Sequence, residues 1–381
     1  MSEPPRVEWE EAGLPRAARW RSEAAVPPPK RVQVTLDTLP ADAAYRLASE
    51  GTALLWRSDF QNARNLLQAM ARRADRKPRK PVAAPASATQ AFHLHRQAQG
   101  QRARVLGKLL VELEGDYRIA LPRAPDLRIA CQQAWGPADG EPSVASLREL
   151  LGIVGAYEWR RRGVEIPSLG TPPGNRIHPH YGVYSPVRGE YLDIVARAPL
   201  PSRELAFDIG TGTGVIAAVL ARRGVQRVIA TDQDPRALAC ARDNLARLGL
   251  PQRVEVLQAD LFPTGRAPLV VCNPPWLPAR PSSPIEHAIY DEDSRMLRGF
   301  LAGLAGHLSP GGEGWLILSD LAEHLGLRTR EELQGWITAA GLRVIAHEDI
   351  RPRHPKAQDA SDPLHAARAK EITTLWRLCA G

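Results

Sequence analysis

A glycine-rich turn between two apolar stretches constrains this chain more than any other feature. The run Leu-Ala-Phe-Asp-Ile at 205–209 leads into Gly210, Gly212 and Gly214, and a second apolar stretch follows at 215–223. This pattern predicts a buried parallel strand that turns into a helix. Because glycine lacks a Cβ, such a turn is tight and lets a flat ligand lie against the backbone, beside the free N–H groups of the helix start.

The spacing of the glycines separates this turn from two other nucleotide-binding loops. The dinucleotide fingerprint would need its third glycine at position 215, where this chain has Val215. A phosphate-cradling loop would need a Gly-Lys-Ser/Thr sequence, and none follows here. The turn therefore belongs to another class of ligand-binding loop.

Three further apolar runs are each predicted to be strands that deliver polar residues at their carboxyl ends. In chain order, 227–231 is followed by Asp232, 254–258 by Ala259 and Asp260, and 269–272 by Asn273. Ligands of open α/β sheets bind at the carboxyl ends of the strands, so these side chains should converge on one site. An acid about twenty residues after the glycine turn suits the hydroxyls of a ribose.

The succession Asp208-Ile-Gly-Thr-Gly-Thr-Gly, Asp232, Asp260 and Asn273-Pro-Pro-Trp276 resembles the class I S-adenosylmethionine-dependent methyltransferases, specifically the small methyltransferase domain group. That group includes the glutamine methyltransferases of translation release factors and enzymes that methylate exocyclic amines of RNA or DNA bases. The likeness covers about residues 180–381. It implies a doubly wound, Rossmann-like α/β sheet of seven strands with the last one antiparallel, and S-adenosyl-L-methionine as the cofactor.

The resemblance also implies a set of site residues. The three glycines would line the methionine and ribose part of the cofactor, Asp232 would bind the ribose hydroxyls and Asp260 would contact the adenine. The segment 182–191 is similar to the one that precedes the first strand in the glutamine methyltransferases, and it supplies Tyr184, Arg188 and Glu190 as substrate-side candidates. The full set of cofactor-binding candidates is Asp208, Gly210, Thr211, Gly212, Gly214, Asp232, Gln233, Asp260, Leu261 and Asn273.

The turn Asn273-Pro274-Pro275-Trp276 points to methylation of a planar nitrogen. Amide and aryl-amine nitrogens are poor nucleophiles because their lone pair is delocalised, so their N–H groups must be held by acceptors. The side-chain oxygen of Asn273 and the carbonyl of Pro274 can accept from them, in a loop stiffened by two proline φ angles. Trp276 offers a flat face on which a base or an amide could stack. These four residues are the catalytic candidates.

The chain is long enough for two domains. Residues 1–30 are rich in Pro, Glu and Arg without periodicity, which predicts a poorly ordered tail. Residues 31–165 are expected to form a mostly helical α+β domain for substrate recognition, with a linker near 77–88, a hairpin at 109–113 and 117–121, and a helix at 143–161. Residues 166–381 are expected to form the methyltransferase domain.

The net charge of +8 is concentrated toward the first domain. The stretch 64–108 holds eleven basic residues against the single acid Asp75, which would suit a polyanion or be no more than a solvated helix face. The methyl acceptor is therefore expected to be a macromolecule, either RNA or DNA or a translation protein. The basic residues are Arg64, Arg72, Arg73, Arg76, Lys77, Arg79, Lys80, Arg96, Arg102, Arg104 and Lys108.

Other features of the sequence limit the remaining functions. The N-terminus lacks the apolar region of a signal peptide and no apolar run reaches the length of a membrane span, which predicts a cytoplasmic protein without a membrane partner. The four cysteines form no paired motif, and the histidine pairs lack a third ligand, so no metal is expected. Two alternatives stay open: a small-molecule N-methyltransferase and a binding module on a methyltransferase fold.

Overall fold

The computed structural model describes residues 4–76, 84–281, 284–353 and 359–381. The chain divides into two compact units at three points, two of which fall inside helices. The first unit comprises Met1–Pro85 and His93–Glu158, and the second comprises Ala86–Phe92 and Trp159–Gly381. Within the described ranges, no helix is long and apolar enough to cross a membrane.

The first unit is built on a six-stranded mixed sheet. Its strand order is β1-β2-β6-β5-β4-β3, in which β1–β2 and β5–β6 are antiparallel and the other pairs are parallel. The strands are β1 (Arg6–Glu11), β2 (Leu14–Arg21), β3 (Val32–Thr35), β4 (Ala53–Trp56), β5 (Leu109–Leu113) and β6 (Ser143–Ser146).

Five helices accompany this sheet in the described residues 4–76 and 84–162. Helix α2 begins where the predicted apolar stripe begins, because the Asp59 carboxylate accepts hydrogen bonds from the backbone N–H groups of Gln61 and Asn62 and so caps it. Its buried face packs in the main core of the unit together with Trp56 and Tyr117. The helices are α1 (Ala41–Ser49), α2 (Phe60–Ala74), α3 (Ala88–Leu106), α4 (Arg128–Trp135) and α5 (Leu147–Arg162).

Three predictions for the first unit are wrong. The predicted tail contains the hairpin β1–β2. Alternate residues of its strands, Val7, Trp9, Ala18 and Trp20, are buried in one core cluster. The low apolar content of the segment as a whole hides this alternation. Strand β5 pairs with β4 and β6, so it forms no hairpin with 117–121. Residues 143–146 form β6, and the helix starts only after it. Most of the predicted linker, 77–83, lies outside the described residues.

The second unit is a seven-stranded sheet with helices on both faces. Its strand order is β11-β10-β9-β12-β13-β15-β14. The strands are β9 (Leu205–Ile209), β10 (Arg227–Asp232), β11 (Val254–Gln258), β12 (Ala267–Cys272), β13 (Leu308–Ser319), β14 (Leu342–Ile350) and β15 (Thr373–Ala380), and the short strands β7 (Val164–Glu165) and β8 (Arg176–Ile177) pair separately.

Only β15 runs antiparallel to its two neighbours, β13 and β14, and it lies between them. The predicted doubly wound α/β sheet of seven strands, with the last antiparallel, is therefore confirmed. The apolar strand residues are buried on both faces, as a sheet covered by two helical layers requires. The helices are α6 (Glu190–Arg197), α7 (Val215–Arg222), α8 (Pro235–Arg247), α9 (Arg295–His307), α10 (Leu321–His324), α11 (Arg330–Ala339) and α12 (His365–Arg368).

Candidate functional site

The glycine turn connects β9 to α7 and has the backbone conformation that glycine permits. Gly210, Gly212 and Gly214 have φ angles of 71°, 54° and 80°, in the left-handed region that residues with a Cβ rarely adopt. A Cβ built on Gly212 would meet nothing within 4 Å, so one side of the turn is open. A Cβ on Gly210 would instead collide with Cε of Met296 at the start of α9. The turn thus presents bare backbone to an open space on one side.

Asp208, near the end of β9, stabilises the glycine turn by hydrogen bonds. Its Oδ2 accepts hydrogen bonds from the Thr211 hydroxyl at 2.6 Å and from the backbone N–H of Ala217 at 3.1 Å. The carboxylate is 1% exposed, and its Oδ1 has no hydrogen-bond partner among the described residues. Burial raises the pKa of Asp208 to about 6 because the charged form is desolvated. Oδ1 of Asp208 is therefore an unpaired acceptor that suits a cationic group.

Asp232, at the end of β10, lies beside the same turn. Its Oδ2 accepts from the backbone N–H of Gly212 and its Oδ1 from that of Asp234, both at 3.0 Å. Burial raises its pKa, although the residue keeps part of its surface exposed. A neighbouring link, from the Thr211 N–H to the Thr231 carbonyl at 2.8 Å, ties the turn to β10. The structure therefore brings Asp232 next to the glycines, as predicted from their spacing.

The candidates from the neighbouring strands lie at the same sheet edge in different environments. The side chain of Asp260 is 59% exposed and forms a 2.9 Å ion pair with Arg295. Leu261 has a φ of 75°, and its carbonyl accepts a 2.5 Å hydrogen bond from the Thr231 hydroxyl. The backbone carbonyl of Gln233 accepts from the side chain of Gln258. Asp260 is thus held at the surface and Leu261 is held in a strained turn.

The Asn-Pro-Pro-Trp turn follows β12, next to β9 in the sheet. Cys272 is level with Ile209 of β9, so Asn273 follows at the edge where the glycine turn begins. The indole Nε1 of Trp276 donates a 2.9 Å hydrogen bond to Oδ1 of Asn273, and the Trp276 ring packs against the sheet core. Trp276 therefore also stabilises the turn, whereas the sequence predicted only a flat face for stacking.

Tyr191 joins this turn to the segment before β9. Its hydroxyl lies beside the Asn273 amide, and burial raises the pKa of this phenol so that it stays neutral. Burial raises the pKa of Tyr184, in the same segment, as well. Tyr191 thus places a neutral hydroxyl next to the Asn273 amide.

The two charged substrate-side candidates point to different partners. Nη1 of Arg188 lies 3.9 Å from Oε2 of Glu371, a buried acid before β15. Oε1 of Glu190 instead accepts a 2.6 Å hydrogen bond from the backbone N–H of Arg353. Arg188 therefore faces a buried acid before β15, whereas Glu190 bonds to the chain after β14.

Several residues at this edge were not predicted from the sequence. The buried Asn244 of α8 donates from Nδ2 to the Thr213 carbonyl and accepts at Oδ1 from the His178 N–H, so it links the glycine turn to the segment before it. A polar residue on an otherwise apolar helix stripe was the available signal. Asp291 caps α9 by accepting from Met296 and Leu297. Glu371 carried no local signal, because its partners come from distant elements.

Known proteins share this part of the chain. The family model of the methyltransferase small domain matches residues 194–328. A release factor glutamine methyltransferase from Cereibacter sphaeroides is 41% identical over 162 residues, which are 39% of this chain and 56% of that protein. A second one, from Moorella thermoacetica, is 37% identical over 123 residues, or 28% of this chain and 42% of that protein.

A ribosomal protein L11 methyltransferase from Sorangium cellulosum is 34% identical over 197 residues, which are 51% of this chain and 54% of that protein. The chain thus spans about half the length of these curated relatives. The matched region carries the glycine turn and the Asn-Pro-Pro-Trp turn.

Proposed function

Residues 194–328 form a methyltransferase small domain of the class I S-adenosylmethionine-dependent type, and from this premise we propose that the chain methylates the side-chain amide nitrogen of a glutamine in a translation protein. The observation that carries the proposal is the position of Asn273. Its side-chain oxygen lies at the sheet edge where the open glycine turn begins, so a cofactor on the turn and an N–H group on the oxygen would meet.

The residues of the turn fit S-adenosylmethionine. Gly212 leaves open space above the backbone, Asp232 lies beside it with part of its carboxylate accessible, and Asp208 has an unpaired buried oxygen. Asp232 would bind the ribose hydroxyls, and the unpaired oxygen of Asp208 would face the positive end of the methionine part. S-adenosylmethionine supplies an electrophilic methyl group on a sulfonium when it is bound.

Asn273 would hold the acceptor nitrogen. An amide oxygen can accept two hydrogen bonds, and one of the two at Oδ1 is already made by Trp276. The second is available for an N–H group of the acceptor, and the carbonyl of the buried Pro274 is a further acceptor in the same rigid turn. Holding both N–H groups would aim the nitrogen lone pair at the methyl group, so positioning would do the work that a strong base would otherwise do. The new N–C bond would replace the S–C bond, S-adenosylhomocysteine would be the leaving product, and the nitrogen would lose one proton to water.

A protein amide is favoured over a nucleic-acid base by the relatives and by the charges of the basic stretch. The matched relatives bear the names of methyltransferases of a release factor and of a ribosomal protein. Within the basic stretch, Arg73 is paired with Asp42 and Arg102 with Asp75, which neutralises part of the positive surface. Arg64, Arg72, Arg76 and Arg104 remain exposed, and they are what supports the second candidate, a nucleic-acid base.

Two other functions have less support. A small-molecule N-methyltransferase would use the same Asn273 turn, but the relatives from Cereibacter sphaeroides, Moorella thermoacetica and Sorangium cellulosum bear the names of protein methyltransferases. A binding module on a methyltransferase fold would have no need for a buried Asp208, an open Gly212 and an Asn273 turn in one place. Both are outcomes of the experiment that follows.

The proposal is tested by incubating the purified protein with methyl-labelled S-adenosylmethionine and lysate from a strain that lacks the gene. Portions of the reaction are then treated with protease, ribonuclease or deoxyribonuclease. We expect label in a protease-sensitive band, on glutamine after digestion and mass spectrometry. Nuclease-sensitive label would move the acceptor to a base, label only in small molecules would move it to metabolism, and no label with intact cofactor binding would favour the binding module.

Asn273→Ala in the same assay connects the labelling to the proposed chemistry. The variant should bind the cofactor with close to wild-type affinity and transfer no methyl group. Asn65→Ala, an exposed asparagine of α2, serves as the matched control and should label like wild type. Label transferred at the wild-type rate by Asn273→Ala would contradict the role of this side chain.

A further inference from the structure

A second polar cluster lies at the same edge of the sheet, one strand beyond Asn273. Strand β13 neighbours β12 and ends at Ser319, which is paired in register with Thr373 at the start of β15. Glu371 stands two residues before Thr373. Ser319 and Glu371 are 0% and 3% exposed, so two polar side chains are buried where the site residues converge.

The carboxylate of Glu371 is held on one side and faces a cation on the other. The Ser319 hydroxyl donates a 2.8 Å hydrogen bond to its Oε1, and Ser319 itself accepts from the backbone N–H of Leu321 at 3.0 Å. Oε2 lies 3.9 Å from Nη1 of Arg188. Burying a carboxylate is costly unless it is paired, and burial indeed raises the pKa of Glu371. The arrangement therefore keeps the Arg188 guanidinium close to Glu371.

The Arg188 guanidinium still has donors to offer. Its distance to Glu371 is longer than a hydrogen bond, and it makes no other side-chain hydrogen bond to any described residue. A guanidinium carries five N–H donors in a planar fork and cannot give up its charge. Its side chain is 21% exposed, so part of this fork can reach a ligand.

The donor of this cluster and the acceptor of the Asn273 turn lie at the ends of neighbouring strands. Cys272 of β12 is level with Leu316 of β13, so Asn273 and Ser319 lie toward the same edge of the sheet, and Glu371 connects Ser319 to Arg188. This edge thus carries a hydrogen-bond acceptor at Asn273 and donors at Arg188. A primary amide has the complementary pattern, with N–H groups on one side of its plane and a carbonyl oxygen on the other.

Building on the proposed function, we propose that Arg188 binds the carbonyl oxygen of the acceptor amide and that Glu371, held by Ser319, is the positioning residue that aims Arg188. The pair explains how the site would select a neutral amide. A lysine ammonium at the same place would meet the positive charge of Arg188 and would have no oxygen to offer it. Glu371 acts through Arg188 and does not itself contact the acceptor.

The inference is tested on the variants Arg188→Gln, Glu371→Gln and the double variant, with purified release factor as the methyl acceptor. Each single variant should raise the KM for the release factor about tenfold or more, with a smaller change in kcat. The Kd of S-adenosylhomocysteine should stay within about twofold of wild type, because β12 separates β13, which ends at Ser319, from β9, which leads into the glycine turn. In the double variant the KM should be no higher than in Arg188→Gln, since Glu371 acts only through Arg188.

Two further variants separate positioning from a merely structural role. The control is Arg197→Gln. Arg197 is the exposed last residue of α6, the helix that follows Arg188, and its replacement should leave the KM unchanged. Ser319→Ala keeps the charge of Glu371 but removes its hydrogen bond, so it should raise the KM by less than Glu371→Gln does. Should Glu371→Gln fail to fold, Arg188→Gln and Ser319→Ala carry the test, because the first is partly exposed and the second removes one atom.

The outcomes distinguish the inference from the proposed function. Wild-type protein that methylates the release factor, together with variants that keep the wild-type KM, would overturn the inference and leave the function standing. KM effects that add in the double variant, or a matching loss of S-adenosylhomocysteine affinity, would overturn the positioning role. Wild-type protein that binds S-adenosylhomocysteine but labels only nucleic acid would overturn both amide assignments.

Discussion

The indole N–H of Trp276 is bonded to the side-chain oxygen of Asn273 across the two prolines between them, at 2.9 Å. An indole can only donate, so the bond determines which end of the Asn273 amide faces Trp276. Because the prolines restrict the backbone of the turn, the side chain of Asn273 is held in one orientation before any acceptor binds. Trp276 thus prepares the residue on which the proposed chemistry depends.

Trp276→Phe should slow methyl transfer without weakening cofactor binding. The change keeps a flat ring but removes the N–H donor, so the Asn273 amide loses one of the contacts that fix its orientation. The loss of one hydrogen bond of about 1 kcal/mol predicts a drop in kcat/KM of roughly fivefold. Single-turnover transfer to release factor, measured beside the Kd of S-adenosylhomocysteine, checks this. A kcat/KM equal to wild type would mean that the bond has no part in orienting Asn273.

Asp232 and Asp260 should differ in their effect on the cofactor. Asp232→Asn should raise the Kd of S-adenosylhomocysteine by about tenfold to a hundredfold, which corresponds to roughly 1–3 kcal/mol for a buried hydrogen-bonding group that loses its match. Asp260→Asn should raise it less than about threefold, because that carboxylate is exposed and paired with Arg295. Isothermal titration of both variants with S-adenosylhomocysteine measures the two Kd values. An equal loss of affinity in both variants would refute the greater importance of Asp232.

Asp208 should make the free energy of unfolding depend on pH. Its pKa of about 6 in the folded state lies above the ordinary value of 3.8, so its contribution to stability is present below about pH 4 and lost as the pH rises through 6. The full effect is about 3 kcal/mol, and roughly half of it falls between pH 5 and 7.5.

Asp208→Asn removes this ionisation and keeps an oxygen that can accept from Thr211 and Ala217. Compared with wild type, the variant should therefore gain stability at pH 7.5 relative to pH 5. Urea unfolding of both proteins at the two pH values measures the difference, and the other acids cancel in the comparison. A difference that is the same at both pH values would contradict the raised pKa.

Four exposed arginines of α2, of the residues just after it and of α3 provide a test of nucleic-acid binding. If Arg64, Arg72, Arg76 and Arg104 contact phosphates, reversing all four to Glu should weaken RNA binding and flatten its dependence on salt. Each lost phosphate contact lowers the slope of log K against log salt by about 0.7–0.9. Reversal of Arg197, Arg343 and Arg351, three exposed arginines of the second unit, is the control. An unchanged slope would leave the basic stretch as a solvated surface.

The sheet of the second unit could be predicted closely because its signals are local. Strands β9 to β12 coincide with apolar runs, and α8 starts at the predicted Asp234 cap followed by Pro235. Strand β10 ends at Asp232, and Asp260 and Asn273 follow the ends of β11 and β12 as the sequence predicted. The first unit was less predictable, since an isolated hairpin such as β1–β2 is only marginally stable, and the pairing of β2 with the distant β6 is not visible in the local sequence.

The sequence alone determined the kind of site, because glycine spacing, strand ends and the Asn-Pro-Pro-Trp turn are properties of consecutive residues. Only the tertiary structure decided which groups meet. Glu371 and Ser319 are 52 residues apart, Asn244 reaches the glycine turn across 31 residues, and Arg188 approaches Glu371 from a segment before the sheet. Such contacts depend on strand order and on burial, and neither is encoded within a short window of sequence.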